Sequence, residues 1–146
     1  MRTIYVIACV VAILIFVFSG PQASPAPHAN KAEIARGEYL VNYTSMCDDC
    51  HTEHDARGLP IKAKHLQGAK IGFKPNEPLP PSIWADTAPP IAGLTFLSDQ
   101  EAVTFFTSGK MPDGKLARAP MAGYRFSPDD SKAVTAYLKS LSAAPK

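Results

Sequence analysis

The stretch "MCDDCHTEH", residues 46–54, is the most informative part of this chain. It separates Cys47 from Cys50 by two residues and places His51 directly after the second cysteine. Cysteine and histidine side chains in such a group bind metal ions, carry out thiol chemistry or attach a haem. Each of these uses requires different additional residues or secondary structure elsewhere in the sequence.

Zinc and thiol chemistry are the two interpretations that the sequence disfavours. A structural zinc site needs four ligands, usually with a second close pair, and only His54 or His65 is available nearby to complete a set. A dithiol oxidoreductase places its C-x-x-C at the start of a helix that follows a strand, where the helix dipole lowers the thiol pKa. Here the pair follows a predicted helix, in a chain without a strand pattern. Both interpretations stay open as alternatives.

Covalent haem attachment explains the motif best. The two thiols add to the two vinyl groups of haem, and the histidine that follows them brings an imidazole nitrogen beneath the porphyrin as an iron ligand. Because Cys and His are scarce, an accidental C-x-x-C-H is expected in fewer than roughly one in a thousand chains of this length. Cys47 and Cys50 are therefore the predicted thioether residues of one haem c, and His51 is the predicted axial ligand.

The composition agrees with a small domain built around a cofactor. The 146 residues suffice for one domain, and the 14 prolines require long irregular loops. A small domain with such loops benefits from a buried cofactor as its apolar centre. The net charge of +2, without a long run of Lys or Arg, argues against nucleic-acid binding, so the expected partners are small molecules or other proteins.

The N-terminal segment predicts export. An uninterrupted apolar string, "IYVIACVVAILIFVF", covers residues 4–18; it is short for a membrane-spanning helix and typical of a signal peptide. Prolines fall at or beside most of the candidate cleavage sites that follow, so an uncleaved N-terminal membrane anchor is the alternative. The predicted division is residues 1–20 as signal peptide or anchor, 21–29 as a Pro/Ala-rich spacer, and 30–146 as the functional domain. The expected location is extracytoplasmic, in the periplasm, either soluble or anchored through residues 4–18.

Three helices are predicted in the exported part. The first begins after Asn30 and leads to the cysteines, with apolar residues at helical spacing. The second has a capping box at residues 98–101 and ends near Gly109. The third begins with "SPDD" at residues 127–130. Residues 55–90 show no sustained period and are predicted to form a long loop.

Residues 31–142 resemble the class I c-type cytochromes, in which a helix leads into C-x-x-C-H, a long loop, a middle helix and a ligand methionine follow, and a C-terminal helix packs across the first. The C-terminal part, "MPDGKLARAPMAGYRFSPDDSKAVTAYLKSL" from residue 111, is particularly similar to small bacterial cytochromes c and to the haem domains of dehydrogenase cytochrome subunits. The resemblance implies an all-α class I cytochrome c fold, with about three main helices and long loops wrapped around one covalently bound haem. It also implies that the last helix crosses the first, with Gly37 facing Tyr137 and Leu138.

The resemblance further implies the sixth iron ligand. Met121, in "APMAGY", stands where this family places its ligand methionine, and Met111 is the alternative. A His/Met pair raises the reduction potential and closes the iron to oxygen and peroxide, which favours electron transfer. If neither methionine bound, His54 or His65 would become candidates.

Other residues are expected around the haem. Trp84 and Tyr124 are candidate pocket residues, and one of them is expected to donate a hydrogen bond to a haem propionate. By the same resemblance, the Pro60 carbonyl is the expected acceptor for the second ring nitrogen of His51.

The predicted function is electron transfer between proteins by a single His/Met-ligated haem, without catalysis of its own. The expected partners are redox proteins: a dehydrogenase, an oxidase or another cytochrome. The alternative is the electron-accepting cytochrome subunit of a membrane-associated dehydrogenase. A haem sensor or peroxidase with an open sixth position is the candidate from a different class.

Overall fold

The structure is a computed structural model that describes residues 29–142. The predicted targeting segment, residues 1–20, and all but the last residue of the spacer lie outside this range, so the predictions for them stay predictions. Within residues 29–142, no helix has the length and the apolar character needed to cross a membrane.

The regular elements of the described part are mostly helical, as the sequence predicted. The helices are α1 (Lys31–Tyr39), α2 (Asp48–His51), α3 (Asp99–Ser108) and α4 (Pro128–Ser140). Two other helical turns are present in the described residues: a π-helical turn, Leu40–Thr44, which directly continues α1, and a 3₁₀ turn, Lys62–Lys64. Helix α2 is a single turn and carries the cysteine-histidine motif, while α1, α3 and α4 are the three predicted helices.

The predicted helix starts and stops are confirmed by their capping contacts. Asn30 and Ser127 each accept a hydrogen bond from the backbone N–H three residues later, at the starts of α1 and α4. Ser98 and Glu101 form the complete capping box of α3. Helix α3 ends at Gly109, whose φ of 74° lies in the left-handed region that glycine adopts without strain.

A two-stranded antiparallel ribbon lies in the long loop that connects α2 and α3. Strand β1 (Ala69–Lys70) pairs with β2 (Thr87–Ala88), with Ala69 opposite Ala88. No strand was predicted here, because two-residue strands are too short to leave an alternating pattern in the sequence. The ribbon brings the backbone that follows Ala88 beside the backbone that precedes Ala69.

Helices α1 and α4 cross at Gly37, as predicted. A Cβ atom on Gly37 would lie 2.0 Å from the Ala133 carbonyl oxygen and 2.7 Å from the Tyr137 Cβ. The predicted contact with Tyr137 is therefore confirmed, and Ala133 is the closer neighbour. Only glycine lets the two helices approach to this distance.

The core extends from this crossing towards the attachment motif. Its fully buried apolar members come from the π-helical turn, from the long loop that precedes α3, and from α4: Val41, Leu66, Leu94, Val134 and Leu138. The π-helical turn that continues α1 thus shares an apolar interior with α4, and α2 lies at its edge.

Candidate haem site

Helix α2 presents the two cysteines and the histidine within one helical turn. Cys47 immediately precedes the helix, and its backbone N–H donates to the Val41 carbonyl at 3.1 Å, which ties the motif to the π-helical turn. Cys47 is 8% exposed, while Cys50 is half-buried. The helical backbone is the conformation that the haem interpretation requires for this spacing.

His51 has one ring nitrogen held by the protein. The ring is buried, and its Nδ1 lies 2.7 Å from the Pro89 carbonyl oxygen. Because a carbonyl can only accept, Nδ1 carries the proton and Nε2 keeps its lone pair. Burial lowers the pKa of His51, against the opposing effect of the Pro89 hydrogen bond. A neutral imidazole with a free Nε2 is the form that binds iron.

The prediction that Pro60 accepts from His51 is wrong, because Pro89 holds that position. Pro60 instead forms an isolated backbone bridge with His54. The reason lies in the ribbon, which folds the segment after β2 across the end of α2. Pro89 lies 38 residues from His51 in sequence, so no local pattern marked it.

A partly buried hydrogen-bond network also fixes α2. The Asp48 carboxylate accepts from the Thr52 hydroxyl and from His65 Nδ1, the latter at 3.0 Å. The Thr52 hydroxyl oxygen accepts in turn from the Leu66 N–H at 2.7 Å. His65, an alternative ligand in the sequence analysis, is thus engaged through Nδ1 in this network. No sequence pattern marks this network, because its members meet only in the folded chain.

The thiols have the opposite character to those of a dithiol oxidoreductase. Burial raises the pKa of Cys47 to about 11, and burial together with the negative charge of Asp49 raises the pKa of Cys50. Reactive thiols instead have lowered pKa values. No group of three or more His, Cys, Asp or Glu side chains within residues 29–142 is placed to hold a metal ion.

The two candidate ligand methionines lie at the edge of the core. Met111 and Met121 are both partly buried and pack against buried apolar residues. Met46, next to the motif, is 57% exposed. The assignment of Met121 over Met111 stays a prediction.

Tyr124 lies against the attachment segment. Its hydroxyl donates to the Ser45 carbonyl at 2.9 Å. Burial, followed by the nearby Cys47 thiol, raises the pKa of Tyr124 to about 12. The hydroxyl proton of Tyr124 is therefore already used within the chain.

Trp84 carries a buried donor without an acceptor. Its indole Nε1 is inaccessible and has no hydrogen-bond partner within the described residues. Its ring contacts Phe73 edge-on, with centroids 5.8 Å apart, and the N–H of the next residue, Ala85, donates to the Ala119 carbonyl at 2.8 Å. A buried N–H without a partner costs about 1–3 kcal/mol. A propionate of a bound haem is an acceptor of the kind that Trp84 lacks.

A cleft of about 560 Å³ opens beside Cys50, and it is lined by charged side chains, Glu53 and Lys70 among them, as well as by apolar ones. Neither His51 nor Trp84 lines this cleft, so it is not the space above the ligand ring. The fit to haem c comes from the donor set: two thiols on one helical turn, a buried imidazole whose Nδ1–H is held by a carbonyl, and a buried indole N–H without an acceptor.

Three proteins of known kind are similar to this chain over most of its length. The alcohol dehydrogenase (quinone) cytochrome c subunit of Gluconobacter oxydans is 32% identical over 123 residues, which cover 78% of this chain and 25% of that protein. The fructose dehydrogenase cytochrome subunit of Gluconobacter japonicus is 31% identical over 124 residues, covering 80% and 24%. The alcohol dehydrogenase (quinone) cytochrome c subunit of Gluconacetobacter polyoxogenes is 32% identical over 133 residues, covering 84% and 27%.

The chain spans about a quarter of the length of these curated relatives. No protein-family model matches it.

Proposed function

We propose that this chain, a c-type cytochrome similar to the cytochrome subunits of dehydrogenases, transfers single electrons through one haem c. When bound, haem c supplies an iron centre that alternates between two oxidation states. The observation that carries the proposal is the state of His51: a buried, neutral imidazole whose Nδ1–H is fixed by the Pro89 carbonyl and whose Nε2 is free.

The chain's own residues have separate tasks in this proposal. Cys47 and Cys50 hold the group covalently, and His51 binds through Nε2. The hydrogen bond from Nδ1–H to Pro89 fixes the ring orientation and raises the basicity of Nε2. The buried surroundings of His51 keep water away from the ligand, and Trp84 Nε1 donates to a propionate.

Met121 is the proposed sixth ligand, with Met111 as the alternative. A thioether is a soft ligand that favours ferrous iron, and it closes the sixth position to exchange. A closed site supports electron transfer and leaves no open position for peroxidase or sensor chemistry.

The proposed partner is a dehydrogenase, from which the chain accepts electrons in an extracytoplasmic compartment. The support comes from the relatives, whose names identify them as cytochrome subunits of an alcohol or a fructose dehydrogenase. Co-purification of the tagged chain with a larger catalytic protein would identify a fixed subunit. A chain that purifies alone and exchanges electrons with several proteins would identify a mobile carrier.

The test is the absorption spectrum of the protein expressed with the c-type maturation machinery, in both oxidation states. We expect covalently bound haem, a weak sulfur-to-iron band, and no change on exposure to carbon monoxide. Met121→Ala should abolish the band and permit carbon monoxide binding. The matched variants Met111→Ala and Met46→Ala should retain the band.

Other outcomes would revise the proposal in defined ways. Loss of the band in Met111→Ala alone would transfer the sixth ligand to Met111. Ready binding of carbon monoxide by the parent protein would assign the chain to sensors or peroxidases. Absence of haem would refute the proposal and return Cys47, Cys50 and His51 to metal or thiol chemistry.

A further inference from the structure

Gly68 contacts the ligand residue through its backbone. Its N–H donates to the His51 carbonyl oxygen at 2.7 Å, so Gly68 lies directly against the end of α2. Its φ of +86° lies in the left-handed region, where other residues are strained. The residue therefore combines an unusual backbone conformation with a contact to His51.

The other side of Gly68 faces the segment that provides the acceptor for the His51 ring. A Cβ atom at this position would lie 2.9 Å from the Pro90 nitrogen, 3.0 Å from the Ala88 carbonyl oxygen and 3.2 Å from the Pro89 carbonyl carbon. All three atoms belong to the backbone, so no side-chain rotation can relieve the contact. The last of them is the carbonyl that accepts from His51 Nδ1.

The segment that contains Pro89 and Pro90 is held at both ends. On its N-terminal side, Ala88 pairs with Ala69 in the ribbon. On its C-terminal side, the N–H groups of Ile91 and Ala92 both donate to the Leu66 carbonyl, at 2.9 and 3.0 Å. An added methyl group would therefore press on a short piece of anchored backbone that includes the Pro89 carbonyl.

We propose that Gly68 is a positioning residue for His51: its lack of a side chain allows the Pro89 carbonyl to reach His51 Nδ1. This inference rests on the proposed haem function, in which His51 Nε2 is the iron ligand. Gly68 thus acts on His51 in two ways. Its N–H donates to the His51 carbonyl, and its small size leaves room for the Pro89 carbonyl that orients the His51 ring.

A larger residue at position 68 weakens the hydrogen bond from His51 Nδ1–H and so makes Nε2 a poorer electron donor. A poorer donor stabilises the ferric form less, so the reduction potential rises. This change in reduction potential can be measured on the isolated haem-loaded protein, without a partner protein.

The test compares Gly68→Ala with Gly58→Ala in the haem-loaded protein. Gly58 has a φ of +80°, and nothing lies within 4 Å of its added Cβ, so this control carries the same backbone strain without the contact. We expect covalent haem in both variants and an upward shift of the midpoint potential in Gly68→Ala only. An unchanged potential in Gly68→Ala, or an equal shift in both variants, would overturn the inference.

A second measurement decides the matter if Gly68→Ala does not fold. In the parent protein, the Gly68 amide proton and the His51 Nδ1 proton should have the same protection factor against hydrogen exchange. The reason is that one opening event would release both protons. Exchange of the ring proton while the amide stays protected would overturn the inference.

The two proposals fail in different ways. Absence of haem in the parent protein would refute the proposed function itself. Bound haem, with the same midpoint potential in Gly68→Ala as in the parent, would refute only the role of Gly68.

Discussion

Gly37→Ala should strongly destabilise the protein, although alanine is the better helix former. The added methyl group would lie 2.0 Å from the Ala133 carbonyl oxygen, whereas ordinary contact begins at 3.4 Å. Helix α1 or α4 would therefore have to move by about 1.4 Å, the difference between these distances. This movement would open gaps between atoms that now touch, and a gap of about 1 Å removes up to half of the dispersion energy of such a contact.

The magnitude follows from two opposing contributions. Replacing glycine by alanine inside a helix favours folding by about 1 kcal/mol. Overpacking typically costs about 1–3 kcal/mol and sometimes more, and the rigid backbone of Ala133 places Gly37 at the upper end. We expect a net loss of about 2 kcal/mol or more, which corresponds to a fall of about 1 M in the urea midpoint at a slope of about 2 kcal/mol/M.

Urea denaturation followed by circular dichroism measures this loss. Ala35→Gly, at an exposed position of the same helix, is the matched control and should cost about 1 kcal/mol from helix propensity alone. If Gly37→Ala proved as stable as the parent, the close approach of α1 and α4 at this position would be refuted.

Two further predictions concern other contacts. Tyr124→Phe removes the donor to the Ser45 carbonyl and should lower the free energy of unfolding by about 1 kcal/mol in urea denaturation; an unchanged value would show that water or another group replaces the hydroxyl. Asp130→Asn should flatten the acid dependence of stability. Arg36 holds the pKa of Asp130 below its ordinary value, so this carboxylate stabilises the fold above its unfolded pKa and loses that contribution as pH falls through its folded pKa. Identical acid profiles for parent and variant would contradict this assignment.

The helices could be predicted from the sequence because their signals are local. Ser98 and Glu101 lie three residues apart and form their capping box without help from the rest of the chain. Gly37 could be recognised because glycine is costly in a helix interior and so indicates a close neighbour. The β1–β2 ribbon could not, because its strands pair across a loop and are too short for a periodic pattern.

The same distinction applies to the candidate site. Cys47, Cys50 and His51 are adjacent in sequence, and their spacing alone indicates their chemistry. Pro89 and Gly68 reach His51 from distant segments, and their roles depend on a ribbon that only the folded chain contains. Neither residue type is chemically distinctive, so no pattern separates these two from the other prolines and glycines.

The contact between α1 and α4 also has a consequence for the order of folding. Arg36 and Asp130 are 94 residues apart, and closing a loop of that length costs about 4 kcal/mol from the logarithmic dependence alone. A helix as short as α1 is not stable in water by itself. Because α4 follows α1 in the sequence, α1 can gain this packing only after residues 128–140 have been synthesised. The segment that carries the two cysteines therefore stays accessible until residues 128–140 have emerged.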